Sequence, residues 1–176
     1  MPIIKHMPGH GRATTDSHRE LPRVSASREA LEQADFLPFR LLSDLPWGMT
    51  AHLLFEAVDG EAPVTISARA VKDVIRGYIG FDGLLVSDDL SMQALGGTLG
   101  ERAERALAAG CDLALHCNGR MHEMQDIVRR TGAMSDVTLR RFEHGRSVLR
   151  RHHAPLDKSA MAEASARFRA LLPEWG

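Results

Sequence analysis

A chain of 176 residues with a formal net charge of −1, 44% hydrophobic and 26% charged residues has room for one domain with a real core. That balance excludes disorder and offers nucleic acid no basic face. No apolar stretch approaches the roughly 20 residues of a membrane span, and the N-terminus lacks the positive-then-apolar order and cleavage site of a secretory leader, so a cytoplasmic chain without membrane association is expected.

Ile3 to His6 is a short apolar run that meets a Pro-Gly-His-Gly turn, and the polar stretch from Arg12 to Arg23 is long for a simple connection, as functional loops often are. Ser27 reads as the N-cap of a helix over 28–36, with Glu29 in the first turn to suit the helix dipole; Pro38 interrupts or restarts it near Phe39. A strand over 49–54 follows and carries His52. Ser67 starts the next helix, in which Ala70, Val71, Val74, Ile75 and Ile79 recur at helical spacing. Gly80 and Gly83 bracket its exit, and Leu84 to Ser87 suits a strand buried on both faces of a parallel sheet. A helix over 101–109 capped by Gly110, a strand over 112–116 and a helix from about Met121 complete the alternation that marks βαβ units. Two more helices are expected at 136–151 and 159–172. The late arginines, among them Arg129, Arg130, Arg140, Arg141, Arg146, Arg150 and Arg151, are expected on the solvated side of helices.

Cys111 and Cys117 lie on or beside one expected strand, on the same face but too far apart along it to bond, and reduced thiols are expected. Cys111, His116 and Cys117 lack a second ligand pair at finger-like spacing. His6, His10 and His18 lack a helical metal-binding context, since Pro8, Gly9 and Gly11 oppose a helix there. Neither a metal nor a cofactor is expected. His10 reads as a residue that fixes its loop, His52 and His116 as either pocket lining or core, and His152 and His153 as solvent-exposed.

The chemistry concentrates in two segments: Lys5-His6-Met7-Pro8-Gly9-His10-Gly11 with Asp16-Ser17-His18, and, about seventy residues later, Val86-Ser87-Asp88-Asp89. A carboxylate at the carboxyl end of a buried strand can attack a substrate, and an Asp-x-His element on a Gly-rich loop supplies a proton carrier with a carboxylate to tune it. The two segments, Lys5 to His18 and Gly83 to Met92, resemble the family 3 glycoside hydrolases, and within them the bacterial β-N-acetylglucosaminidases that act on recycled cell-wall fragments. Leu84-Leu85-Val86-Ser87-Asp88 matches that family's nucleophile signature. The likeness runs from Ile3 to about Val128, with Met7 where Phe is usual.

The resemblance implies an α/β fold, a (β/α)₈ TIM barrel of roughly 250 residues, of which this chain would hold the last four βα units in residues 1–130, with residues 131–176 as C-terminal helices packing on it. Four strands, ending at His6, Phe55, Ser87 and His116, fit that pattern. The family's first half, with an Asp and an Arg that grip the non-reducing sugar, has no counterpart in these residues. A half-barrel has two open edges, so a homodimer or a complementing N-terminal half is the expected partner. By resemblance Asp88 is the nucleophile, with Asp89 its rival; His18 is the acid/base, Asp16 orients it, and Lys5 and His6 bind sugar hydroxyls. The implied reaction is retaining removal of N-acetylglucosamine from muropeptide fragments through a covalent glycosyl-Asp intermediate, without a cofactor. The alternative is an inactive relative that binds sugar weakly or serves as a scaffold.

Overall fold

The computed structural model describes residues 2–152 and 157–171. Its frame is a four-stranded parallel sheet in the order β1 (Ile4–Met7), β3 (Trp47–Thr50), β5 (Leu84–Asp89) and β6 (Leu113–Leu115). Trp47 lies opposite Leu84 and Met49 opposite Val86, while Val86 in turn lies opposite Leu113. Leu84 to Ser87 are all buried, as the unbroken apolar run requires of a strand covered on both faces. A separate two-stranded parallel sheet joins β2 (Arg23–Val24) to β4 (Leu54–Phe55).

The expected strand over 49–54 is divided. Ala51 N–H still donates to the Met7 carbonyl at 2.7 Å, but the chain then leaves the central sheet at His52, and Leu54 and Phe55 pair with Arg23 and Val24 instead. Every residue of the run is buried on both sides of the break, so its apolar pattern carries no mark of it. The last central strand is one residue shorter than expected at each end, although Asp112 N–H still donates to the Leu85 carbonyl at 2.7 Å.

Ser27 caps α1 (Arg28–Ala30), its Oγ accepting from Ala30 N–H at 3.3 Å. The helix widens into a π turn over Leu31–Asp35, where Phe36 N–H reaches back to the Leu31 carbonyl, and α2 (Leu37–Leu41) restarts with Pro38 in its first turn. Proline is tolerated there because that N–H has no intrahelical partner. Ser67 caps the following helix through Ala70 N–H at 3.0 Å, and that helix is π-wound over Ala70–Tyr78. Its buried residues Val71, Val74 and Ile75 join Phe36, Phe55, Phe81 and Leu85 in the core. α3 (Leu99–Ala109) begins two residues before the expected start, because Thr98 and Glu101 close a reciprocal capping box. Gly110 ends it in the left-handed conformation, with φ 111°.

α4 (Met121–Thr131), α5 (Asp136–His152) and α6 (Lys158–Leu171) complete the chain. α5 docks on the amino ends of the strands. Its Phe142 stacks on Trp47 with ring centroids 5.7 Å apart, and a Cβ at Gly145 would collide with the Trp47 indole nitrogen. Arg141 does not face solvent as the late arginines were expected to. Its side chain is 22% exposed and binds Asp112 Oδ1 at 3.0 Å and Asp82. Residues 158–170 of α6 are exposed. The expectations for the side chains of His152 and His153 and for Leu172 lie outside the described residues.

Candidate active site

Parallel strands bring their carboxyl ends to one face, and β1 and β5 deliver His6 and Asp88 there. His6 Nε2 lies 3.6 Å from Asp88 Oδ2, with the Asp88 side chain 13% exposed. Asp88 Oδ1 accepts from Asp89 N–H at 2.9 Å. Burial holds the His6 imidazole below its usual pKa; Asp88 opposes that shift, and Lys5 adds to it. Lys5 itself is exposed on β1. The Lys5–His6 and Met7–Pro8 peptide bonds are both cis.

Of the two adjacent carboxylates, Asp89 is the committed one. Its Oδ2 accepts from the Ser91 hydroxyl at 2.6 Å, and its Oδ1 accepts the backbone N–H groups of Ser91 at 3.1 Å and Cys117 at 3.2 Å. Burial pushes the Asp89 carboxyl up, but the Ser91 and Cys117 hydrogen bonds outweigh it and leave the group below its usual range. Asp89 therefore ties the loop after β5 to the loop after β6, while Asp88 Oδ2 faces the imidazole.

The loop after β1 turns tightly at Gly9, whose φ is +151° and whose missing side chain lets the backbone pass Asp35. Arg12 binds that same Asp35 at 2.7 Å. His10 stands beside His6, ring centroids 5.5 Å apart, with its Nε2 at 3.4 Å from Ser17 Oγ. Farther along, Asp16 Oδ1 accepts from both His18 N–H at 3.0 Å and His18 Nδ1 at 2.9 Å, so the ring is held through Nδ1 with Nε2 turned away. The backbone bond from His18, then the ring, holds the Asp16 carboxyl below its ordinary value. This pair stands at the rim, with the His18 side chain 74% exposed. Among the described residues no hydrogen bond or ion pair links it to Asp88. It is attached instead through its backbone, the His18 carbonyl accepting from Gln93 N–H at 3.2 Å.

His52 is fully buried rather than pocket-lining. Its Nε2 donates to the Asp89 carbonyl at 3.0 Å, which leaves Nδ1 to accept from the Thr65 hydroxyl at 2.7 Å. Burial lowers its pKa, so the neutral ring that satisfies both partners is the stable form. His116, at the end of β6, lies 3.2 Å from Glu123 Oε2, yet neither ring nitrogen makes a hydrogen bond. Arg102 of α3 donates to the Leu90, Met92 and Gly97 carbonyls and so braces the loop after β5. The Asp-x-Ser turn at Asp89 to Ser91 was visible in the sequence as a local hydrogen-bonding motif. The role of Arg102 had no such signal, because the carbonyls it binds carry no side-chain signature. Among the described residues no group of three or more His, Cys, Asp or Glu side chains is arranged to hold a metal ion.

The model of the glycosyl hydrolase family 3 N-terminal domain matches residues 1–144. A beta-hexosaminidase of Alkalilimnicola ehrlichii is 43% identical over 154 residues, an alignment that takes in 84% of this chain and 43% of that protein. A family 3 β-N-acetylglucosaminidase from Paenibacillus sp. superposes with a TM-score of 0.73 at 31% identity, over 89% of this chain and 33% of that one. NagZ from Neisseria gonorrhoeae, solved with N-trifluoroacetyl-D-glucosamine, superposes with a TM-score of 0.71 at 34% identity, over 81% of this chain and 41% of that one. The chain thus spans less than half the length of these relatives.

Proposed function

Because the chain belongs to the glycosyl hydrolase family 3 N-terminal domain family, we propose that it bears the catalytic groups of a retaining β-N-acetylglucosaminidase acting on muropeptide fragments in the cytoplasm. The observation that carries this reading is the division of labour between two neighbouring carboxylates. Asp89 is consumed by three donors, whereas Asp88 keeps Oδ2 beside His6 Nε2.

In this reading the Asp88 carboxylate attacks the anomeric carbon. The glycosidic C–O bond breaks, and its electron pair goes to the leaving oxygen, which takes the proton from His18 Nε2. In the second half the His18 ring takes a proton from water, the water oxygen bonds to the anomeric carbon, and Asp88 leaves as carboxylate. Two inversions give retention. Asp16 holds Nδ1–H and favours the imidazolium that forms, so a histidine serves where most glycosidases use a second carboxylate. A retaining pair works about 5 Å apart across the bond, so the exposed loop closes to bring His18 over the sugar. Lys5 and neutral His6 donate to sugar hydroxyls.

The four parallel strands and their crossovers fit the last four βα units of a (β/α)₈ barrel over residues 1–130, with α5 laid against them through Phe142 and Arg141. The outer strands β1 and β6 then need a neighbour. Exposed Met121, Met124 and Val128 on α4, the helix that follows β6, support a second chain covering that side, either another copy or a complementing N-terminal half. Such a partner would supply the remaining sugar contacts.

A fluorinated N-acetylglucosaminyl fluoride that reacts quickly and is released slowly tests the reading. The expected result is one glycosyl adduct on the peptide containing Asp88, lost in Asp88→Asn. An adduct on Asp89, or none on a folded protein with its partner present, overturns it.

A further inference from the structure

The central sheet is open on both sides. Among the described residues neither β1 nor β6 has a strand on its outer flank, and Leu113–Leu115 of β6 are only half-buried where Leu84 to Ser87 of β5 are buried. The helices beside both open edges carry exposed apolar faces. α4, which follows β6, is fixed to α3 on one side, where Asp126 accepts from Gly100 N–H at 2.7 Å and Arg130 meets Glu104 at 3.1 Å. Its opposite side exposes Met121, Met124 and Val128. α1 and α2 follow β1 and are held to the helix over Ala70–Tyr78, with the Arg28 and Arg40 guanidiniums 5.5 and 5.3 Å from the Tyr78 ring centroid. Leu37 and Leu41, one turn apart on α2, and Leu42 just after it are exposed.

We infer that these two faces are the halves of one interface and that their occupant is a second copy of this chain, two copies closing an eight-stranded barrel. The inference takes the half-barrel from the proposed family reading. In such a barrel every helix returns from a strand's carboxyl end to the next strand's amino end, so neighbouring helices run parallel. Setting β6 of one copy beside β1 of the other therefore lays α4 of the first along α1 and α2 of the second. Met121, Met124 and Val128 then meet Leu37, Leu41 and Leu42. The charges at the far end of this contact are opposite in sign: Arg129 near the end of α4 and Asp44 just past α2 are both exposed, and neither has an ion-pair partner among the described residues. A contact between unlike surfaces either closes into a ring or grows into a filament. Four strands are half of the eight that close a barrel, so two copies suffice and the ring has two identical seams. The flank of the site beside His6 is then walled by the second copy's loop after β6, and the site is incomplete without it.

Sedimentation equilibrium of the full chain over a wide range of concentration is the test. The wild type is expected to pass from one copy to two and stop there. Leu41→Glu and Val128→Glu each put an unpaired charge into both seams and are expected to weaken the dimer about a hundredfold. Leu41 and Val128 are 74% and 71% exposed in the single copy, so the circular dichroism of both variants should stay native. Asp44→Arg and Arg129→Asp should each weaken the dimer, and the two together in one chain should restore it. One copy at every concentration, growth beyond two, a dimer indifferent to Leu41→Glu and Val128→Glu, charge reversals that fail to restore it, or pairing only with the N-terminal half of the Alkalilimnicola ehrlichii beta-hexosaminidase would overturn the inference. The Asp88 adduct judges the other reading separately. A closed dimer without the adduct removes the glycosidase and leaves the seam, whereas an adduct on a single copy removes the seam and leaves the glycosidase.

Discussion

Replacing Asp112 by Ala is expected to destabilise the fold more than any other single change on the strands' amino-end face, without touching the candidate site. Asp112 precedes β6, its side chain is 5% exposed, and it accepts four hydrogen bonds: Arg76 at 2.8 Å, Leu85 N–H at 2.8 Å, Arg141 at 3.0 Å and the Thr138 hydroxyl at 3.1 Å. Removing one partner of a buried ion pair costs about 3–5 kcal/mol, because the other charge is left uncompensated. Arg76, at 18% exposed, keeps the Phe81 and Gly83 carbonyls, and Arg141 keeps Asp82, which lowers the loss. The Leu85 amide of the central strand loses its side-chain acceptor, which adds about 1–3 kcal/mol. These contributions overlap, and about 4 kcal/mol is the expected sum. For a chain of this size that corresponds to a fall in Tm of roughly 8–16 °C. Urea unfolding of the wild type, Asp112→Ala and Asp112→Asn checks it, with Asn expected to lose less because its carbonyl still accepts. A loss below about 1 kcal/mol for Asp112→Ala would refute the claim that this buried carboxylate joins β5, β6 and α5.

Gly145→Ala is expected to cost about 1–3 kcal/mol by driving a methyl group into the Trp47 indole, read as a lower urea midpoint and a changed tryptophan emission. His52 gives a pH dependence with a definite sign. Burial lowers its folded pKa below the unfolded value, so its contribution is full above about pH 6.5 and is lost as pH falls through the folded pKa. His52→Gln should flatten that part of the stability profile, and a ring that titrates at the ordinary histidine value by NMR would contradict it. Ellman's reagent should modify exposed Cys117 in the native chain and Cys111 only after unfolding, since burial pushes the Cys111 thiol up to about 12.

The strands that bear the chemistry were legible because their signals are local. Leu84 to Ser87 is apolar without interruption and bounded by Gly83 and a carboxylate, and Ser27 and Ser67 cap the helices they were expected to cap. The pairing of Asp16 with His18 was equally local, two residues apart on one loop. The break at His52 was not legible, because the partners met there, Asp89 for His52 and Arg23–Val24 for Leu54–Phe55, are distant in sequence. Arg141 was misread for the same reason: nothing near it in sequence announces Asp82 and Asp112. The start of α3 could have been found, since Thr98 and Glu101 stand at capping-box spacing. The resemblance already prefers Asp88 to Asp89 as nucleophile, but the Cys117 N–H bond that helps to occupy Asp89 comes from 28 residues away and had no local signal.

The most direct test of the catalytic assignment is hydrolysis of a chromogenic N-acetyl-β-glucosaminide by the purified chain over a wide range of protein concentration, with His18→Ala alongside. The account predicts turnover that rises faster than linearly with concentration, as a site completed by a second chain requires, and that vanishes in the variant. Turnover unchanged by His18→Ala, or none at any concentration from the folded protein even with an N-terminal half supplied, would contradict it.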